Sequence, residues 1–164
     1  MQPMNVLVID GQGGGLGKQL VAALSTQCPE IRLTAVGTNS LAANAMRKAG
    51  APRAATGENA VAVNCRSADI IVGPIGIVIA DALLGEITPA MATAVCQSHA
   101  TRVLIPEPLR KLYRGCAGAA HQRSGGRCGA EGESPLRRGR LRKKGLLKMP
   151  SACALGMIQG IYIF

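Results

Sequence analysis

Hydrophobic positions in this chain fall into short continuous runs, separated by glycine-rich turns and by stretches of helical period. Asn5 to Asp10 is an apolar run ending in an acid, the pattern of a strand buried on both faces. The glycine-rich segment Gly11-Gln-Gly-Gly-Gly-Leu-Gly17 follows it directly. Lys18 to Thr26 then predicts a helix with Leu20, Val21 and Leu24 on its apolar face, ended before Pro29. Ile31 to Val36 predicts a second strand and Gly37 to Ser40 a turn, with Ser40 capping a helix that Ala49-Gly50 closes. Arg53 to Thr56 is expected as a short third strand. Val61, Val63 and Cys65 alternate as a strand would, but Ile70 to Gly73 is a stronger strand lying close behind them. Two parallel strands need a crossover of about a dozen residues, so a helix starting at Glu58 is the better assignment. Ile77 to Leu84 is expected to be helical. Thr88-Pro89 gives a helix start, with Thr as N-cap and Pro at the first helical position, and that helix runs to about Ser98. Arg102 to Ile105 predicts a fifth strand, and at Pro106 the regularity stops.

The alternation predicts an α/β fold, a Rossmann-like doubly wound parallel sheet of order 3-2-1-4-5 followed by an irregular basic tail. Composition agrees with the first part: hydrophobic residues make up 48% of the chain and aromatics only 2%, so the core is aliphatic. Charge divides the chain sharply. Of the formal +10, residues 1–106 carry +1 and residues 107–164 carry +9, which sets the expected boundary between a nucleotide-binding domain and a low-order tail. The cluster Arg137-Arg138-Gly-Arg140-Leu-Arg142-Lys143-Lys144 could contact a phosphate backbone, but no aromatic residues interleave with it to stack on bases. Six scattered cysteines without a C-x-x-C, and no signal peptide, read as reduced thiols of a cytoplasmic protein. No zinc spacing involves His99 or His121, so no metal is expected. No apolar run reaches the roughly 18 residues of a membrane span, so no membrane partner is expected either.

The candidate chemistry lies in the glycine run. A buried strand, a glycine turn and a helix N-terminus together bring free amides and a positive dipole end to one point, which suits a phosphate. The Walker spacing fails, because Gln12 stands where its first glycine belongs and Gln19 replaces the magnesium-binding hydroxyl. The strict G-x-G-x-x-G fails at Leu16. Gly11, Gly15 and Gly17 do fit G-x-x-x-G-x-G, which resembles the fingerprint of short-chain dehydrogenases. The Tyr-x-x-x-Lys of those enzymes is missing here, and Gly37-Thr38-Asn39 stands where an acid would hold the adenine ribose. The expected ligand is therefore a small phosphate-bearing molecule, NAD(P) or another nucleotide, and catalytic residues are not assigned. Gly11, Gln12, Gly13, Gly14, Gly15, Gly17 and Lys18 form the expected binding loop. Thr38, Asn39, Glu58, Asn59, Gly73, Pro74 and Gly76 are expected around the crevice at the strand ends. Capping the third helix is the competing role for Glu58 and Asn59. For Cys65 the expected role is a structural thiol rather than a nucleophile. An NAD(P)-linked oxidoreductase is the alternative to simple binding, and nucleic-acid contact through the tail is a third reading. Oligomeric state is left open.

VLVIDGQGGGLGKQL, AVGTNS, ATGENAVAVNC, ADIIVGPIGIVIADALLGEITPAMA and RVLIP resemble the small bacterial proteins of domain-of-unknown-function family 3842, over about residues 4–106. The resemblance implies a Rossmann-like, cytoplasmic protein and no assigned activity. It also implies an N-[RK]-C segment, a further strand and an acidic helix after the fifth strand, where this chain has EPLRKLYRGC instead. Allowed codons for Glu107 to Cys116, read one base later, give NRCGNYIAG. The tail is therefore expected to be the product of a one-base frameshift.

Overall fold

The computed structural model describes residues 3–106 together with a strand at Tyr162–Ile163. Its elements are β1 (Asn5–Asp10), α1 (Gly15–Gln27), β2 (Arg32–Gly37), α2 (Ser40–Lys48), β3 (Arg53–Thr56), α3 (Glu58–Cys65) and β4 (Ile70–Pro74). A 3-10 turn (Ile75–Val78), a four-residue turn α4 (Ala82–Gly85), α5 (Pro89–Gln97), β5 (Thr101–Ile105) and β6 (Tyr162–Ile163) complete them. The first five strands form a parallel sheet of order β3-β2-β1-β4-β5, as the pattern of apolar runs predicted. β6 adds to the β5 edge in antiparallel sense, pairing Ile163 with Val103. The expected frameshift and basic cluster lie outside the described residues.

Both faces of the sheet are covered at its centre, which is why β1 and β4 are apolar throughout rather than alternating, while the edge strand β3 is largely exposed. On one face α1 and α2 bury Val6, Val8, Val21, Leu24, Leu33 and Met46 against it. On the other, α3, α5 and the 3-10 turn bury Leu7, Ile9, Val61, Ile71, Ile77 and Val95. Gly17 lets α1 lie close to the sheet: a methyl group there would come within 2.6 Å of Met46 Sδ and 2.7 Å of Asp10 Cβ. Gly73 serves the same purpose inside the sheet, since its added Cβ would stand 2.4 Å from the Ile9 carbonyl oxygen.

Four local expectations are corrected. The helix expected over Ile77 to Leu84 does not form. Ile79 is extended, and Asp81, Leu83 and Leu84 take left-handed φ values of 62°, 56° and 63°. The run Ile77-Val78-Ile79 is β-branched and poor at holding a helix. Burying Ile77, Ala82, Leu83 and Ile87 together requires the chain to double back, and Asp81 N–H closes the resulting loop on Ile87 O at 2.7 Å. α1 begins at Gly15 rather than Lys18, because Gly14 in the left-handed conformation (φ 66°) opens it. The N-cap of α2 is Asn39 and not Ser40, with Asn39 Oδ1 accepting from Ala42 N–H at 2.9 Å. Cys28 is disulfide-bonded, against the expectation of reduced thiols, while Cys65 and Cys96 are free.

Candidate functional site

The carboxyl ends of β1, β2 and β4 meet at one edge of the sheet, and each continues into a turn. Asp10, at the end of β1, is buried beneath the glycine loop and fixes both of its ends. Its Oδ1 accepts from Gly11 N–H at 2.8 Å and its Oδ2 from Gly17 N–H at 2.6 Å. Gly14 N–H donates to Gly11 O at 2.9 Å, which closes the turn. β2 is tied to the same loop by Thr38 N–H, which donates to Asp10 O at 3.0 Å.

Three donors from two of these turns converge on a single oxygen. Gln12 N–H lies 2.7 Å from Glu86 Oε2, Thr38 Oγ1 2.5 Å and Asn39 Nδ2 3.0 Å. Gln12 is held at φ 51°, a left-handed value uncommon for a residue with a side chain. Asn39 works in two directions. Its Oδ1 caps α2, while its Nδ2 also donates to Gln12 O at 3.0 Å, linking the β2 turn to the glycine loop. Thr38 and Asn39 were expected at the crevice and Gln12 in the binding loop; Glu86 was expected in neither. Gly85-Glu86 gives no local signal of this contact, because its partners lie 47 to 74 residues away.

The five loop glycines differ in what they do for the fold. Gly11 is packed under Glu86, Leu83 and Thr38, each 2.9 Å from an added Cβ; Gly14 needs its left-handed φ; Gly17 faces Met46. Gly13 and Gly15 are exposed, have ordinary φ, and would meet nothing within 4 Å. The amides of Gly13, Gly15 and Leu16 have no hydrogen-bond partner among the described residues. First-turn amides of a helix are unpaired by geometry and carry its positive dipole end.

The remaining expected residues are placed less directly. Gly73, Pro74 and Gly76 are buried where β4 enters the 3-10 turn. Glu58 is exposed and accepts from Thr88 Oγ1, joining α3 to α5, and Asn59 is exposed beside it. Lys18 lines a groove with Leu41, Asn44, Ala45 and Lys48 on the outer side of α2. A cavity of about 370 Å³ at the opposite, amino-terminal edge of the sheet is lined by Cys65, Arg66, Ser98 and His99. Burial pushes the Cys65 thiol up from 9.0 to about 11, the reverse of what a nucleophile needs, and no hydrogen bond links it to His99 among the described residues. Among the described residues no three His, Cys, Asp or Glu side chains are grouped to hold a metal, and no helix is long and apolar enough to cross a membrane.

Residues 5–135 match the family described as Domain of unknown function (DUF3842). The chain belongs to that family. The DUF3842 match runs through the change of composition at Pro106 and into the basic segment. No curated protein and no solved structure matches the chain.

Proposed function

We propose that this DUF3842 protein binds a small phosphate-bearing ligand, a mononucleotide or dinucleotide such as NAD(P), at the Gly11–Lys18 loop, in the cytoplasm of a bacterium. The observation that carries the reading is the pair Gly13 and Gly15. Neither glycine is required by packing or by φ, and both adjoin unpaired amides at the start of α1. A backbone left bare of side chains beside a helix N-terminus suits the close approach of a phosphate. Thr38 and Asn39, in the turn after β2, lie against the same loop at the strand ends, where a nucleoside would extend from a bound phosphate.

Binding without catalysis requires only these groups. An NAD(P)-linked oxidoreductase would need a proton donor besides, and a nucleic-acid contact would fall on the tail beyond the described residues. Titrating the full chain with NAD, NADP, ATP and cyclic nucleotides, with thermal unfolding as readout, tests the reading. A ligand at a hundredfold excess over its Kd should add about 2.7 kcal/mol of stability. Failure of every nucleotide to shift the transition would remove the proposal.

A further inference from the structure

Glu86 presents a carboxylate oxygen to three donors that nothing in the local sequence reserves for it. One is the Gln12 amide at the mouth of the glycine loop, and the others are the Thr38 hydroxyl and the Asn39 amide at the end of β2. Three convergent donors on one oxygen form an oxyanion site, and here the chain fills it with its own anion. Glu86 is only partly buried, so solvent and solutes reach the site.

The segment that delivers this carboxylate is under strain. Leu83, Leu84 and Gly85 succeed one another at φ 56°, 63° and 84°, and Asp81 stands at 62°. A left-handed turn built from two leucines is unfavourable for L-residues and persists only where surrounding contacts hold it. Three kinds of contact do so: the buried side chains of Leu83 and Ile87, backbone hydrogen bonds within the loop such as Asp81 N–H to Ile87 O, and the hydrogen bonds to Glu86. Gly11 leaves the room this arrangement occupies, since Leu83 Cδ1 and Glu86 Oε2 both lie 2.9 Å from where its Cβ would be.

We propose that Glu86 is an internal anion occupying the oxyanion site of the crevice, and that a phosphate-bearing ligand enters by displacing it and releasing the strained 81–87 loop. The proposal rests on the ligand reading above. A phosphate oxygen would take over the Gln12, Thr38 and Asn39 donors, and the departing carboxylate would move into solvent, away from the incoming negative charge. No covalent change is involved. An occupied site lowers apparent affinity by the fraction of molecules in which it is closed.

Two measurements on the full chain test it, with inorganic pyrophosphate as the probe. In the first, calorimetric titration compares the native protein with Glu86→Gln, which keeps the side chain's size and removes its charge. The substitution should tighten pyrophosphate binding by about tenfold or more, the scale of a charge-assisted contact. Unchanged affinity would overturn the displacement while leaving the ligand reading intact. Weakened affinity would overturn it too, because Glu86 would then be holding the ligand's hydroxyls or cations. No pyrophosphate binding by either protein would overturn the displacement, while the ligand reading is decided by the nucleotide titration above. The second measurement needs no variant. Hydrogen exchange of peptides spanning residues 81–87 should quicken when pyrophosphate is added to the native protein, and slowed or unchanged exchange would show that the loop is not released.

Discussion

The β1–α1 and β4–α5 connections leave neighbouring strands at the same sheet edge, and they make their bends by opposite means. The first has two left-handed residues, Gly14 and Gln12, and relies on the buried Asp10 carboxylate to fix Gly11 and Gly17. The second places Asp81, Leu83 and Leu84 in left-handed conformations and is held by its own backbone hydrogen bonds together with distant partners of Glu86. A loop rich in glycine, with both ends fixed by one adjacent carboxylate, is shaped mainly by nearby residues even though Gln12 also has distant partners. One whose residues resist the backbone depends on what it touches. The glycine loop therefore suits a fixed cradle, and the 81–87 loop suits a part that can change its partner.

The contrast between glycines that serve the fold and those that face the ligand gives the largest expected effects. Gly73→Val should be severe, because its Cβ would meet the Ile9 carbonyl 2.4 Å away in the middle of a parallel sheet. We expect a loss of about 3 kcal/mol or more in denaturant unfolding. Gly13→Ala and Gly15→Ala should instead leave stability within about 1 kcal/mol of the native protein, because both positions open onto free space. Their effect should appear in ligand titrations, as a loss of about tenfold in affinity, or about 1.4 kcal/mol. Native-like affinity in both alanine variants would mean that these glycines serve neither fold nor ligand.

What was legible in the chain follows the same division. β1, β2, β4 and β5 could be read from apolar runs, because burial on two faces leaves a continuous signature. The exposed β3 followed from assigning a helix after it, and the strand order from the usual doubly wound topology. Thr88-Pro89 was legible as a helix start because a cap is a contact across three residues, here Thr88 Oγ1 accepting from Met91 N–H at 3.1 Å. Gln12, Thr38 and Asn39 were legible as neighbours because the strand order brings their turns together. Glu86 was not, since its role depends on where a non-helical loop carries it. The apolar residues of Ile77 to Leu84 mimic a helix whether or not one forms. The change at Pro106 is a different matter. A one-base shift remains our proposal for it, whereas an intact frame would explain why the DUF3842 match continues to residue 135. Resequencing the gene around the Pro106 codon decides between them: a displaced base relative to other family members is expected, and an unbroken frame overturns the shift.

Leu84 offers the finest test of the strained loop, and the smallest effect. Its side chain is 60% exposed while its φ is 63°, so it contributes conformational cost with little burial in return. A left-handed L-residue costs roughly 1–2 kcal/mol, and glycine returns about half of the relief as lost unfolded-state restriction. Leu84→Gly should therefore stabilise the protein by about 0.5–1 kcal/mol, visible as a raised denaturation midpoint with an unchanged slope. The same substitution relaxes the closed form without touching Glu86 or its donors, so pyrophosphate affinity should stay the same or fall slightly. Lowered stability would mean that Leu84 packs against something, and that the left-handed turn is not where the strain resides. Gly85→Ala supplies the opposite sign: at φ 84° an added methyl group should cost about 1 kcal/mol, although nothing lies within 4 Å of it. Opposite responses at two adjacent exposed positions would locate the strain in the backbone of this turn rather than in its packing.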